Sequence, residues 1–188
     1  MSTATETRSY VLDPAHSAAH FSVRHLMISK VRGTFKTLTG TIELPADSAI
    51  PTSVTVTIDA ASIDTREPQR DGHLKSPDFF EVETHPTLSF KSTAIRAIDA
   101  TNLEVTGDLT IHGVTKSITA AVELTGQGKD PWGNDRVGYE GSFKINRKDF
   151  GLGWNQVLEA GGVAIGENVD VTLDVEAIPT PATAPATA

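Results

Sequence analysis

Six histidines are the residues in this chain best suited to neutral-range proton transfer or metal ligation, because cysteine is absent altogether. The densest group is His16, His20 and His25. On a strand, residues four apart share a face but stand about 13 Å apart, and residues five apart face opposite sides. No local pair among the three can therefore chelate an ion. A metal would need His73, His85 or His112 brought in by the fold, so the histidines are expected to be hydrogen-bonded or surface groups, with no metal bound. Proton transfer by His25, His73 or His112 is a weaker reading, since no paired nucleophile accompanies them. The sequence holds no GxSxG elbow, GxxxxGK[ST] phosphate loop, HExxH helix or GxGxxG turn. Asp149-Phe150-Gly151 spells a kinase triplet without the other kinase motifs. The chain is expected to be a non-enzyme with no cofactor.

Composition narrows the partners. The 188 residues suit one domain, and 38% apolar residues can supply its core. With 16 basic and 24 acidic residues the formal charge is −8, which disfavours an electrostatic hold on nucleic acid or an anionic membrane. The absence of cysteine removes disulfides, thiolate metal sites and cysteine nucleophiles. Met1 to Arg8 is polar, without the basic and apolar regions of a secretory signal. No apolar run approaches the roughly 20 residues of a membrane-spanning helix. A cytoplasmic location is the corresponding expectation.

The elements that must position any site are strands. Ala19, Phe21, Val23 and His25 alternate with His20, Ser22 and Arg24, and Val54, Val56 and Ile58 alternate with Thr55 and Thr57. The same period of two runs through Leu103–Ile111, Ile118–Leu124, Val137–Ile145 and Val169–Val175. This alternation predicts half-buried antiparallel strands. With Tyr10–Asp13, Thr34–Leu44 and Thr87–Ser92 there are about eight or nine, enough for a barrel or a sandwich. His112-Gly113 reads as a hairpin turn and Gln127–Asn134 as a longer loop. Glu67–Lys75, with Pro68 near its start, and Arg147–Trp154 read as short helices or turns capping one end. Residues 1–8 and 179–188 read as disordered tails around a domain over 9–178. Gly107, Ala120 and Gly141 fall in phase with the inward positions, where small residues either leave a tunnel or mark tight packing.

Several ordered blocks resemble the YceI family of lipid-binding proteins. They are Tyr10-x-x-Asp13-x-x-His16-Ser17, Phe21-x-Val23-x-His25, Val31-x-Gly33-x-Phe35, Arg70-Asp71-x-His73-Leu74-x-Ser76-x-Asp78-Phe79-Phe80, Pro86-x-Leu88-x-Phe90-x-Ser92, Gly107-x-Leu109-Thr110-Ile111-His112-Gly113-Val114-Thr115-Lys116 and Arg147-x-Asp149-Phe150-Gly151. The resemblance runs from about Tyr10 to Ala177. It implies an all-β fold, an extended antiparallel eight-stranded lipocalin-like β-barrel with short capping helices or loops. It also implies a long apolar tunnel holding an isoprenoid quinone, its polyprenyl precursor or a similar amphiphile. Many members of that family carry a secretory signal, which Met1 to Arg8 does not spell.

On that reading the expected lining is Phe21, Val23, Phe35, Leu88, Phe90, Val105, Leu109, Val122, Phe143 and Ile145. Phe79, Phe80 and Phe150 are loop aromatics placed to gate a mouth. Arg70, Asp71, His73 and Arg147 are candidates to meet a head group, because a guanidinium fork suits phosphate or carbonyl oxygens. The favoured alternative has Arg70 and Arg147 paired with Asp71, Asp78 or Asp149 to hold the caps. Function is then noncatalytic binding, storage or transport of a long-chain isoprenoid. The alternatives are a packed barrel serving as an interaction or stress-response module, with homodimerisation through strand edges, and, less favoured, an enzyme acting on a lipid head group through His25, His73 or His112.

Overall fold

The structure, a computed structural model, describes residues 6–159 and 161–181. The alternating segments form a single antiparallel sheet: β1 (Thr7–Leu12), β2 (Ala18–His25), β3 (Ser29–Phe35), β4 (Leu38–Pro45), β5 (Ser53–Asp59), β6 (Ile63–Asp64), β7 (Thr87–Ala97), β8 (Asn102–Ile111), β9 (Val114–Lys129), β10 (Asp135–Asn146) and β11 (Ile165–Pro179). These segments make a closed eight-stranded barrel because three staves are broken in the middle. β1 and β2 are halves of one stave, interrupted at 13–17. β3 and β4 break at Lys36-Thr37, so the expected Thr34–Leu44 run is two strands. β5 and β6 flank a 3-10 turn at Ala60–Ser62. Closure falls to β11, which pairs Ala177–Pro179 with β1 and Ile165–Asp174 with β2. Its other edge pairs with β10.

At the break after β1, a side chain supplements the ladder, where Asp13 N still donates to Glu176 O at 2.8 Å. Ser17 Oγ donates to the Glu176 carbonyl at 3.2 Å and accepts from the Glu176 N–H at 3.1 Å. Both backbone groups of Glu176 are thus satisfied where the stave bends. Between β6 and β7 lies the one α-helix among the described residues, α1 (Pro68–Lys75). Pro68 occupies its first turn, where no N–H is needed, and the Glu67 carboxylate accepts from Gln69 N at 3.2 Å and Arg70 N at 2.6 Å. The second capping segment is a 3-10 turn at Arg147–Phe150, closed by Gly151 in the left-handed region.

Three boundaries correct the sequence expectation. β9 continues through Gln127-Gly128-Lys129, because Lys129 pairs with Asp135 and reaches its carboxylate at 2.6 Å, leaving a turn of only 130–134. Asp130 builds that turn, accepting from the backbone N–H groups of Trp132 and Asn134 at 2.9 Å each. Thr7 and Arg8 belong to β1, and β11 includes Pro179, after which Thr180 N donates to Ser9 O at 2.9 Å. The rest of the expected tails, 1–5 and 182–188, lies outside the described residues.

The two barrel ends differ. At the end holding the start of β1, Tyr10, Leu44, Leu103 and Val137 are buried, and Tyr139 donates its hydroxyl to Ala49 O at 2.6 Å. Burial pushes the Tyr139 phenol above its usual range. A charged staple locks this end. Arg136 bonds Asp13 at 2.5 Å, Glu176 at 2.8 Å and Asp130 at 3.1 Å, joining β1, β10, β11 and the 130–134 turn. Asp13 also meets His16 Nδ1 at 3.0 Å. The His16 hydrogen bond, with Ala15 N–H and Arg136 behind it, holds Asp13 at about 2, while Asp13 raises His16.

The staple predicts opposite pH dependences for its two titrating members. The His16 contribution is complete below about pH 6.5 and is lost as pH rises through its raised folded value. The Asp13 contribution is complete above about pH 4 and is lost as pH falls toward about 2. Thermal melts of His16→Gln should therefore converge on those of the native protein above neutrality and fall below them at pH 5.5. Arg136→Met should melt lower than the native protein at both values.

Candidate ligand-binding cavity

The inward positions of the staves enclose a cavity of about 620 Å³, within the range of small-molecule sites. All ten residues expected to line it do so: Phe21, Val23, Phe35, Leu88, Phe90, Val105, Leu109, Val122, Phe143 and Ile145. Leu12, Ile42, Val54, Val56 and Ile58 extend it toward the closed end, and Val169, Val171, Leu173 and Val175 supply the β11 wall. The small inward residues divide between the two roles open to them. Ala120 and Gly141 face free lumen. Gly107 marks tight packing instead, since a Cβ there would lie 2.5 Å from Phe90 Cζ and 2.4 Å from Lys91 O. Gly33, opposite Phe21 on β3, is covered in the same way, with Phe21 Cζ 2.4 Å from the position of its missing Cβ. Glycine beneath each ring lets two phenylalanines lie along the wall rather than across the lumen. The filled interior required by the interaction-module reading is therefore not what this barrel has.

At the other end, polar and aromatic side chains form a mouth. Arg70, His73, Phe79, Phe80 and Arg147 reach the cavity as expected. Glu67, Gln69, Leu74, Trp154 and Gln156, which are not among the expected mouth residues, join them. The His73 ring stands edge-on to Phe79 at 5.1 Å and to Trp154 at 4.7 Å, with Nε2 2.7 Å from Asp78. Phe80 stacks edge-on to Phe35 at 5.6 Å. Leu26, Met27 and Ile28, in the β2–β3 turn just beyond the lining residue His25, expose apolar surface.

Two of the expected mouth residues lie elsewhere. Asp71 is drawn off the cavity by Thr65, whose N–H and hydroxyl it accepts at 2.9 and 2.6 Å. Phe150 does not gate; at 1% exposure it is packed in the core beneath the Arg147–Phe150 turn. Of the three histidines considered for proton transfer, His25 and His73 line the cavity and His112 does not.

The arginines are held by backbone carbonyls and, for Arg70, the Thr65 hydroxyl, not by the aspartates expected to pair with them. Arg147 is buried, and donates from Nε to Gly166 O at 2.9 Å and from one terminal nitrogen to Leu152 O and to Trp154 O at 2.9 Å. The second terminal nitrogen reaches Ile165 O at 3.5 Å. Burial lowers its pKa, with Glu167 opposing. The guanidinium nevertheless remains charged at any ordinary pH. Arg70 donates to Thr65, from Nε to Oγ1 at 2.7 Å and from a terminal nitrogen to the carbonyl at 3.1 Å. The loop after the 3-10 turn presents inward carbonyls that lack strand partners, and one buried fork satisfies several at once.

The model of the YceI-like domain matches residues 10–177. The chain belongs to the YceI-like family. It is 39% identical to Protein YceI of Escherichia coli over 163 residues, covering 87% of this chain and 82% of that one. Among solved structures, the Campylobacter jejuni YceI protein is 32% identical, with a TM-score of 0.73 over 84% of this chain and 90% of that one. A polyisoprenoid-binding domain from Saccharophagus degradans, 19% identical, has the same fold, with a TM-score of 0.67 over 92% of this chain and 99% of that one. In this YceI-like chain, the matched region spans the whole lumen, from β1 to Ala177 of β11.

Two substitutions test how the wall and cap are held. Arg147→Met keeps most of the side-chain volume but orphans the carbonyls of Leu152, Trp154 and Gly166, so denaturant unfolding should show a loss of about 2–4 kcal/mol. Gly107→Ala should cost about 1–3 kcal/mol, because its methyl group cannot avoid both Phe90 and the Lys91 carbonyl.

Proposed function

We propose that this YceI-like chain is a noncatalytic carrier that holds a long-chain isoprenoid lipid, a quinone or its polyprenyl precursor, within the barrel. The observation that carries this reading is the shape and chemistry of the cavity: an elongated apolar lumen, closed at one end, with its polar groups at the mouth. The Saccharophagus degradans domain of the same fold, described as polyisoprenoid-binding, supports the ligand class.

Each buried methylene stabilises by about 0.8 kcal/mol, so a five-carbon isoprene unit contributes roughly 3–4 kcal/mol. Several units exceed the cost of about 4–15 kcal/mol for immobilising the ligand. Tail length should then govern affinity until the lumen is full. The head would sit among Gln69, Arg70, His73 and Trp154, where water and polar atoms are available.

Gently purified full-length chain should yield a stoichiometric long-chain isoprenoid on native mass spectrometry and solvent extraction. After delipidation, titration with quinones of increasing tail length should give steadily tighter binding and quench Trp154. Trp132, 83% exposed in the far turn, should contribute no quenching, so Trp132→Phe keeps the signal and Trp154→Phe removes it. Ala120→Phe, which places a ring in free lumen, should shift the preference toward shorter tails. Affinity indifferent to tail length, together with empty protein on extraction, would overturn the carrier reading.

A further inference from the structure

Outside the lumen, the fold assembles three metal-competent side chains that no local spacing in the sequence brings together. Glu81 and His85 lie on the connection from α1 to β7, and His112 lies in the β8–β9 turn. Their ligand atoms all stand within 4.8 Å of one another. His112 Nε2 is 3.4 Å from Glu81 Oε2, yet it is buried and makes no hydrogen bond, because the two groups are out of line. The His85 and His112 rings meet with centroids 4.7 Å apart. Glu81 is oriented from behind, since its other oxygen accepts from Thr84 Oγ1 at 3.0 Å.

Glu81 and His112 both adopt left-handed conformations, with φ of 46° and 51°, in a region that ordinary side chains seldom occupy. Gly113, at φ 73°, completes the turn, and any Cβ there would lie 2.8 Å from His85 Cε1, so the imidazole packs directly on the hairpin. A tetrahedral ion with bonds of about 2.0–2.2 Å needs donors roughly 3.3–3.5 Å apart. The His112–Glu81 separation already meets that, and rotation of the half-buried His85 side chain supplies the third ligand.

We propose that Glu81, His85 and His112 form a binding site for a divalent first-row transition metal of the zinc class, with two imidazole nitrogens, one carboxylate oxygen and a water as the fourth ligand. Two imidazoles with a single carboxylate suit zinc, cobalt or nickel far better than calcium or magnesium, which take oxygen-rich shells. The second histidine–carboxylate cluster, Asp13, His16 and Glu176, is different in kind, because the Arg136 guanidinium already lies between its carboxylates. An ion at the first cluster would tie the Phe79–Phe80 segment to the β8–β9 hairpin. Phe80 and Ile111, neighbours of Glu81 and His112, line the lumen, so the ion would fasten one side of the mouth.

The test uses the full chain, stripped with a chelator and titrated with zinc chloride against a chromophoric competitor in metal-free buffer. The expected result is one zinc per chain, a higher melting temperature on loading, and a visible ligand-field band when cobalt replaces zinc. Glu81→Gln, His85→Gln and His112→Asn should each weaken zinc at least tenfold and abolish the thermal shift; asparagine tolerates the left-handed backbone at 112. His16→Gln should leave binding unchanged. His85 has ordinary backbone, so His85→Gln should keep the metal-free melting temperature and separates ligand loss from misfolding. No zinc binding, or an affinity that His85→Gln leaves unmoved, overturns the site.

Discussion

A barrel wall is stable only where every stave finds backbone partners on both sides, and β11 is the strand on which that condition turns. Its C-terminal end pairs with β1 and its longer middle with β2, so one strand closes the ring against two differently directed halves of the same stave. At the bend Glu176 keeps one backbone partner, the Asp13 N–H on its carbonyl, and the Ser17 hydroxyl supplies the acceptor that its own N–H would otherwise lack. The break has a counterpart on each following stave, at Lys36-Thr37 and at Ala60–Ser62, so the ring bends along a continuous line across three neighbours. Beyond that line the third stave almost stops, because β6 is two residues long. The Ser29–Gly33 part of β3 therefore lacks a strand partner on that side, and Phe80 packs edge-on against Phe35 where the pairing ends.

The lumen follows from the same closure. A ring of eight staves leaves room for side chains or for one ligand, and the choice depends on how inward residues are shaped. Here phenylalanines that could bridge the interior are pressed to the wall over Gly33 and Gly107, while Ala120 and Gly141 keep the opposite staves short of the centre. Apolar cavities of this kind hold water poorly. Polar groups that would hold water are confined to the mouth, so the gradient along the tunnel favours an occupant with a long apolar tail and a small polar end.

The periodicity carried the wall almost completely. Inward residues were legible because a half-buried strand alternates strictly, and each of the ten lining residues falls on that alternation. The kinks were not legible, since Thr34–Leu44 reads as one run and only the opposing break at Ala60–Ser62 shows why it divides. Gln127–Asn134 reads as a loop, but for Gln127–Lys129 pairing with β10 outweighs the weak strand preference of Gly128. The mouth was partly legible: Phe79, Phe80, His73 and both arginines stood out by type, whereas Trp154 and Gln156 sit in irregular chain with no period to place them. Phe150 and Asp71 were misassigned because adjacency in a motif does not report which way a loop residue points. His85 and His112 are 27 residues apart by number, and only the left-handed turn at His112 aims its ring at the α1–β7 connection.

The way the arginines are used bears on what the barrel can select. A guanidinium kept for an anionic head group would present its planar fork to the lumen with paired donors free. Arg147 instead spends its donors on the carbonyls of the loop that it caps, and Arg70 spends two of its nitrogens on Thr65. Both line the cavity, yet the work of each is to hold an irregular segment against the barrel end. Charge at the mouth therefore shapes the opening more than it grips a ligand. On the carrier reading, discrimination would fall to the tail: a chain too short would leave lumen unfilled, and one too long would meet the packed end under Tyr10 and Tyr139. Recognition by length needs a lumen of fixed dimensions, and the Arg136 staple at the closed end and the Arg147 cap at the open end both supply that rigidity.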